Sequence, residues 1–259
     1  MALAPQLSLI IPAFNEAQGI RRTLQATQSY LDGQNCSYEI IVAADGNDGT
    51  REIVADMARS DSRLSVLGSA ERGGKGRGIR QGMARAQGKI VGFADADYKT
   101  PIEELAKILP WFDQGYDVVI GSRACSESRI EVPQALYRQL GSKGFAIVMR
   151  AIVGLRGIHD TQCGFKFFRQ SVARELFAQQ RIDGYMFDVE ILHLAERAGY
   201  RIKEVGVRWQ DDGDSRLNLV AGNLRNVMDL FRIRLMSRTI TPVGAPSTSA
   251  SPTTTRKAA

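Results

Sequence analysis

The strongest constraint on the fold is an alternation in the first 120 residues, where short apolar runs of strand length take turns with helical stretches. Leu7–Pro12 reads as a buried strand ended by its proline, and a helix follows over 17–31. Tyr38–Ala43 is the second strand, Thr50–Ser60 the second helix and Leu64–Leu67 the third strand. A glycine-rich loop then leads into a helix over Lys75–Ala86. Ile90–Ala94, a helix over Ile102–Phe112 and a strand at Asp117–Ile120 complete the series. Strands of about five residues alternating with helices build βαβ units. The expected class is therefore α/β, with a mostly parallel central sheet flanked by helices.

The second half is less regular. Pro133–Leu155 reads as helical, in two pieces broken near Gly141 or Gly144, and a connector holding Asp160–Lys166 follows. A helix over Phe187–Ala198, a strand over Arg201–Trp209 and a last helix over Val220–Ser237 come next. From residue 239 to residue 259 the chain is rich in Pro, Ser and Thr and poor in apolar residues, so it is expected to be a disordered tail. One domain over 1–238 is expected, with a donor-binding part near 1–123 and an acceptor- and membrane-facing part near 124–238.

In open α/β sheets, ligands bind beyond the C-terminal ends of the strands. Four such ends carry polar turn residues here: Pro12-Ala13-Phe14-Asn15-Glu16, Asp45-Gly46-Asn47-Asp48-Gly49-Thr50, Asp95-Ala96-Asp97 and Gly121-Ser122-Arg123. Asp95 and Asp97 project to one side if strand geometry continues through them. One or two carboxylates plus substrate phosphates are the usual magnesium arrangement. Each acid alone could equally be a helix cap or a turn former. Agreement among four strand ends favours a ligand site.

The run Arg72-Gly73-Gly74-Lys75-Gly76-Arg77-Gly78 has neither the Gly-Lys-Ser/Thr of a Walker loop nor the dinucleotide spacing. Its backbone amides and cations at a helix start could hold an anion, or form a surface turn.

Together these segments resemble the inverting family 2 glycosyltransferases of GT-A fold. The likeness continues through Gly121-Ser122-Arg123-Ala124, Asp160-Thr161-Gln162-Cys163-Gly164-Phe165-Lys166 and Phe187-Asp188-Val189-Glu190, and covers residues 7–236. These later motifs are most similar to the polyprenyl-phosphate branch, the dolichyl-phosphate β-glucosyltransferases above all. The resemblance implies a nucleotide-sugar donor (UDP-glucose, with GDP-mannose as the alternative) and Mg2+ or Mn2+ on Asp95 and Asp97. It implies that Pro12, Ala13, Phe14, Glu16, Asp45, Gly74, Lys75 and Ala96 join those two acids around the donor. Arg123 would lie near the phosphates, and the catalytic candidates are Asp97, Arg123 and Asp188. The family carries two adjacent acids after its second strand; here the first is Ala44, leaving Asp45 alone at the nucleoside.

A phosphate monoester has a second pKa near about 6 and is mostly a dianion at neutral pH. A polyprenyl phosphate acceptor would need no general base, whereas a saccharide hydroxyl would need a carboxylate. The phosphate would need cations instead, and the candidates are Arg123, Arg129, Arg138 and Lys166. Asp188 and Glu190 could organise the acceptor pocket, act as a base, or cap a helix start. His159 and His193 read as structural residues.

Charge is distributed unevenly. Residues 1–120 hold 13 Lys and Arg against 15 Asp and Glu, whereas residues 121–259 hold 21 against 13. The basic excess thus lies where an anionic lipid and a membrane surface would be met. Leu136–Leu155 and the last helix both interleave apolar residues with Arg, which suits an interfacial helix or a core helix with snorkelling Arg. The three cysteines form no CxxC pair, the N-terminus lacks a basic signal-peptide region, and no apolar run reaches spanning length. A cytoplasmic protein, peripheral at the cytoplasmic membrane face, is expected. Sparse aromatic residues near the basic runs argue against nucleic acid. A non-catalytic module binding a nucleotide or anionic lipid is the remaining rival.

Overall fold

A computed structural model describes residues 4–132, 149, 152–155, 157–210 and 221–236. The expected helix over Pro133–Leu155, with Arg138 on it, falls almost wholly outside the described residues, as does the expected tail. Within them, the alternation of the first half becomes β1 (Leu7–Phe14), α1 (Ile20–Asp32), β2 (Tyr38–Asp45), α2 (Thr50–Ser60), β3 (Leu64–Leu67), α3 (Lys75–Arg85) and β4 (Ile90–Ala94). The first strand does not stop at its proline. Pro12 sits within β1 opposite Ala43, and the strand runs on to Phe14 opposite Asp45.

The helix expected over Ile102–Phe112 is segmented. A turn of 3-10 helix at Ile102–Glu104 leads into α4 (Leu105–Ile108), and Pro110 opens α5 (Pro110–Asp113). A proline contributes no N–H at a helix start, where none is needed, but interrupts a continuing ladder. β5 (Val118–Ser122) follows, then the short β6 (Arg129–Val132).

The largest departure from expectation is β7 (Phe165–Arg169), read from sequence as the end of a connector. It is an interior strand of a seven-stranded sheet of order β3-β2-β1-β4-β7-β5-β8, lying between β4 and β5, and is antiparallel to both neighbours. The other six strands share one direction. α6 (Gln170–Gln179) and α7 (Phe187–Arg197) follow, and the expected strand over 201–209 divides into β8 (Ile202–Gly206) and β9 (Arg208–Gln210). β9 leaves the main sheet to pair with β6. The last helix, α8, spans Ala221–Met236.

Both faces of the sheet are covered, so its strands are apolar on both sides. One core joins Ile10, Ile41, Phe93 and Phe168 to residues of α3, α6, α7 and α8, including Ile79, Leu176, Val189 and Ile233. The other joins Leu9, Ile11, Val42, Phe165 and Phe167 to α1, α2 and the segmented helix through Leu24, Val54 and Leu105. β7 thus sends Phe165 and Phe167 to one core and Phe168 to the other. Lys166 shares the Phe168 side of the strand, and there it is 1% exposed. Because β7 runs against β4 and β5, its beginning lies at the edge where theirs end. That reversal delivers residues 160–164 to the C-terminal edge of the parallel strands.

Candidate functional site

The ends of β1 and β2 are bound together by backbone-directed polar contacts. Asn15 Oδ1 accepts a hydrogen bond from the Asn47 amide at 3.2 Å, and Asp48 Oδ2 accepts one from the Ala17 amide at 2.9 Å. Asn15 is left-handed, at φ 55°. Asn tolerates that region better than most side chains. Asp45 works differently. Its Oδ1 accepts from the Ser69 amide at 3.1 Å and its Oδ2 from the Gly73 amide at 2.7 Å, which fixes the start of the glycine-rich loop. On that loop the Arg72 guanidinium lies 4.3 Å from the centre of the Phe14 ring. Pro12 and Ala13 are strand residues beneath these groups, and the Glu16 amide is tied to Thr50 Oγ1 at 2.9 Å.

The glycine-rich loop packs closely on the opposite half at its glycines, where there is no room for a Cβ. A Cβ at Gly74 would fall 2.3 Å from the Asp183 carbonyl oxygen, and one at Gly76 would fall 2.6 Å from that of Ile182. Lys75, between them, extends to Asp95 with Nζ 2.6 Å from Oδ1. Burial disfavours the Lys75 charge, but the carboxylates of Asp95 and Asp188 outweigh it and push the pKa up.

Strand geometry does not continue through Asp95-Ala96-Asp97: β4 ends at Ala94 and a turn begins. Ala96 is buried, and its carbonyl accepts the Thr23 hydroxyl proton at 2.7 Å. The turn still keeps the two carboxylates in each other's field. Burial and then the Asp95 charge push the Asp97 carboxyl up, against the opposing pull of Lys99, whose Nζ is 3.3 Å from Oδ2. Two hard oxygen donors with unfavourable mutual repulsion fit a divalent cation that completes its shell with phosphate oxygens. Among the described residues no cluster of three or more Asp, Glu, His or Cys forms a self-sufficient metal cage.

Arg123, just past the end of β5, is bound by Asp160, the first residue of the 160–166 motif, to which the sequence alone assigns no task. Its Nε and Nη2 donate to the two oxygens of Asp160 at 2.7 and 2.8 Å, and its amide donates to Oδ2 at 2.9 Å. Burial raises the Asp160 carboxyl, but the Arg123 hydrogen bonds and charge override it and hold it at about 2. Glu204 on β8 accepts from the amides of His159 and Asp160, both at 2.9 Å, and so fixes that loop. Trp209 of β9 lies beside the guanidinium, its ring centre 5.4 Å away. A lone Glu in an alternating strand carries no sequence signal for such a task.

Lys166 faces inward. Its Nζ donates to Asp188 Oδ1 at 2.6 Å and to the Cys163 carbonyl at 2.5 Å, which places it in a buried ion pair rather than at an open surface. Burial pushes the Asp188 carboxyl up, Lys166 and Lys75 draw it back, and Asp95 adds repulsion. Glu190 is separated from this group by its contacts, since its oxygens accept the amides of Arg181 and Ile182 at 2.9 and 2.8 Å. Arg129 is exposed on β6, opposite Arg208. The structure thus gathers Asp95, Asp97, Lys75, Lys166 and Asp188 into one charge cluster. Arg123 joins its rim, and Arg129 stands apart on the two-stranded ribbon.

Comparison with known proteins matches residues 8–177 to the model of Glycosyl transferase family 2. The chain is 34% identical to the dolichyl-phosphate β-glucosyltransferase of Drosophila melanogaster, an alignment covering 88% of this chain and 74% of that one. It is 31% identical to the human dolichyl-phosphate β-glucosyltransferase over 89% and 75% of the two chains. Its fold is similar to glucosyl-3-phosphoglycerate synthase from Mycobacterium tuberculosis, solved with Mn2+, UDP-glucose and phosphoglyceric acid. That likeness has a TM-score of 0.63 at 18% identity and covers 90% of this chain and 79% of the other. The chain belongs to glycosyl transferase family 2, with the GT-A fold of its structural neighbours.

Proposed function

We propose that this enzyme transfers glucose from UDP-glucose to a polyprenyl phosphate, with inversion, at a membrane surface. The observation that carries the reading is the meeting of Lys75 with Asp95 at the edge where β1, β2, β4 and β5 end. Two carboxylates and an ammonium there suit a nucleoside diphosphate, and the named relatives supply glucose and dolichyl phosphate as the substrate classes.

Asp95 and Asp97 would hold Mg2+ or Mn2+, which when bound offsets the charge of the departing diphosphate. Lys75 and Arg123 bring positive charge to the same leaving group, in a site drier than bulk water where such charge counts for more. Phe14 and the Asp45-fixed loop border the nucleoside. Both Asp45 oxygens already accept backbone amides, and Ala44 adds no acid. Base discrimination therefore rests on little, and GDP-mannose stands as the second donor to test.

The acceptor phosphate is a dianion near neutrality and supplies its own nucleophilic oxygen. It needs a cationic approach, for which Arg123 at the rim of the cluster is the candidate, whereas Arg129 lies apart from it on β6. The lipid calls for an apolar landing, and α8 offers one. Met228, Phe231 and Leu235 are 48%, 53% and 63% exposed, on one face of a helix that also carries Arg225, Arg232 and Arg234. Apolar side chains flanked by arginines fit an anionic bilayer surface. No helix among the described residues is long and apolar enough to cross a membrane.

The deciding experiment offers labelled UDP-glucose and GDP-mannose, with metal, to purified protein and a short polyprenyl phosphate. Label entering the organic phase from UDP-glucose alone supports the proposal. Label from GDP-mannose alone replaces the donor, and transfer only to a saccharide acceptor replaces the lipid. No transfer from either donor favours a non-catalytic binding module.

A further inference from the structure

We propose that Asp160 is a positioning residue for Arg123: its carboxylate holds the guanidinium in an orientation that presents the remaining edge to the acceptor phosphate. This rests on the acceptor reading above. Of the two phosphates that Arg123 could serve, it assigns the acceptor's.

The strand register separates those two phosphates. Phe93 of β4 and Ile120 of β5 both pair with Lys166 of β7, so β4 and β5 end at nearly the same level with β7 between them. Adjacent strands lie about 4.8 Å apart, which sets the two ends about 10 Å apart across the edge. Asp95 stands past the end of β4 and is held by Lys75 of the glycine-rich loop, whose own start is fixed by Asp45 at the end of β2. On the donor reading the diphosphate reaches the acids from the β2 side, and Arg123 stands on the other. An inverting transfer brings its nucleophile in opposite the leaving group, which is the Arg123 side.

Asp160 grips Arg123 at both ends of its side chain. Oδ2 accepts the backbone amide at 2.9 Å and Nε at 2.7 Å, while Oδ1 accepts Nη2 at 2.8 Å and the Gln162 amide at 3.1 Å. Four N–H groups on two oxygens call for a carboxylate, because an asparagine amide turns one acceptor into a donor. Asp160 is itself anchored, with its amide on Glu204 Oε1 at 2.9 Å and its side chain 8% exposed. Nη1 of Arg123 has no hydrogen-bond partner among the described residues, and the side chain is 29% exposed. That nitrogen is what an incoming oxyanion meets.

Asp160 also cancels part of the Arg123 charge, so its two conceivable effects have opposite signs. If the field alone mattered, a neutral residue at 160 would leave a stronger cation and tighten an anionic acceptor. If orientation matters, the same change loosens the fork and weakens transfer.

The test follows transfer from labelled UDP-glucose to a short polyprenyl phosphate by the full chain in Mn2+, with UDP affinity by calorimetry and a melting temperature for each variant. Asp160→Asn is expected to lower kcat/KM for the acceptor about tenfold, the weight of one hydrogen bond to a charged group, at unchanged UDP affinity. Arg123→Lys keeps the charge but not the fork and should lose a similar factor. Joining it to Asp160→Asn should cost little more, because both break one interaction. Gly164 packs on the Asp95 carboxylate, where a Cβ would fall 2.0 Å from Oδ2, so a loop that had merely slackened would weaken UDP binding as well. Joint loss of UDP affinity and transfer in Asp160→Asn therefore makes the role structural and overturns the inference. Acceptor kcat/KM at or above that of the unaltered protein overturns it too, as does loss of UDP affinity alone, which would leave Arg123 to the departing diphosphate. Should Asp160→Asn not fold, full acceptor activity in Arg123→Lys overturns the inference by itself. Absence of lipid transfer by the unaltered protein strikes the acceptor reading, and the inference falls with it.

Discussion

Up to Ser122 the described residues bury one charged side chain, Glu104, whereas from Asp160 onward they bury Asp160, Lys166, Asp188, Glu190 and Asp229. Both regions contribute strands to one sheet and helices to its faces, yet they are held differently. The first is organised by apolar periodicity, and its acids gather at an accessible edge. The second depends on ions that have left water and must find partners inside. A buried pair stabilises little in net terms, but removing one member leaves an uncompensated charge. Substitutions at the first region's edge should therefore separate activity from folding, and substitutions in the second should confound them.

The largest effect is expected at Asp97. Its side chain is 32% exposed and pairs with Lys99, so Asp97→Ala should leave the melting transition near that of the unaltered protein. Turnover should fall by about a thousandfold or more, as when an electrostatic contributor to the transition state is lost. Turnover at the original rate would remove Asp97 from the proposed metal site. Lys166→Met tests the opposite region. It strands Asp188 in the core and should destabilise by about 3–5 kcal/mol. Adding Asp188→Asn should recover most of that loss in a denaturant titration, and no recovery would mean that Lys166 stabilises through packing on Phe93 and its neighbours instead.

The same contrast explains what the sequence disclosed. Periodicity located α2, β3 and β4 to the residue because their burial follows one simple rule, and the acids at strand ends do lie along one edge of the sheet, where the site is proposed. β7 was hidden by its lysine. Phe165-Lys166-Phe167-Phe168 lies in a fully buried strand, where local pattern reading takes a Lys for a solvent-facing residue. Its carboxylate partner lies 22 positions away on another element. Asp160 was visible within a motif, but its task depends on Arg123 and on Glu204, which only the sheet order brings near. Asp188 and Glu190 looked alike as acids at a helix start. Their partners separate them, an ammonium for one and two backbone amides for the other. Pairings between distant elements do not appear in local sequence.

Titration should probe the second region more gently. His193 on α7 is buried, and burial, with Arg197 and Arg234 adding repulsion, pulls its pKa down to about 4. In the unfolded chain it would titrate near about 6.5, so the unfolded state binds the additional proton between these values. Stability from this residue is fully present above the unfolded value and is lost as pH falls toward about 4, by on the order of 3 kcal/mol. Asp160, held at about 2, acts in a lower window: its contribution persists above the normal carboxylate range and fades as pH falls through about 2. His193→Leu should flatten the stability profile between about pH 4 and 6.5 without touching the acid limb below it. An unchanged slope in that interval would show that His193 does not control it.

The smallest effect on the fold, and the most selective on function, is expected at Phe231. α8 belongs to the charge-rich region, yet it is anchored by Leu230 and Ile233, which are 0% and 1% exposed, while Phe231 on the other face is 53% exposed. Removing an exposed side chain changes stability by less than about 0.5 kcal/mol. Removing one that enters a bilayer forfeits about 2 kcal/mol of transfer energy, or tens of fold in partitioning. Phe231→Ser should therefore lower binding to vesicles containing anionic lipid while leaving the melting temperature and transfer to a short, water-soluble acceptor unchanged. Equal vesicle binding by both proteins would show that the arginines alone govern attachment. A large fall in melting temperature would place Phe231 in the core, against its exposure. Because the two readouts move oppositely under these explanations, one substitution decides whether the outer face of α8 serves the membrane or the fold.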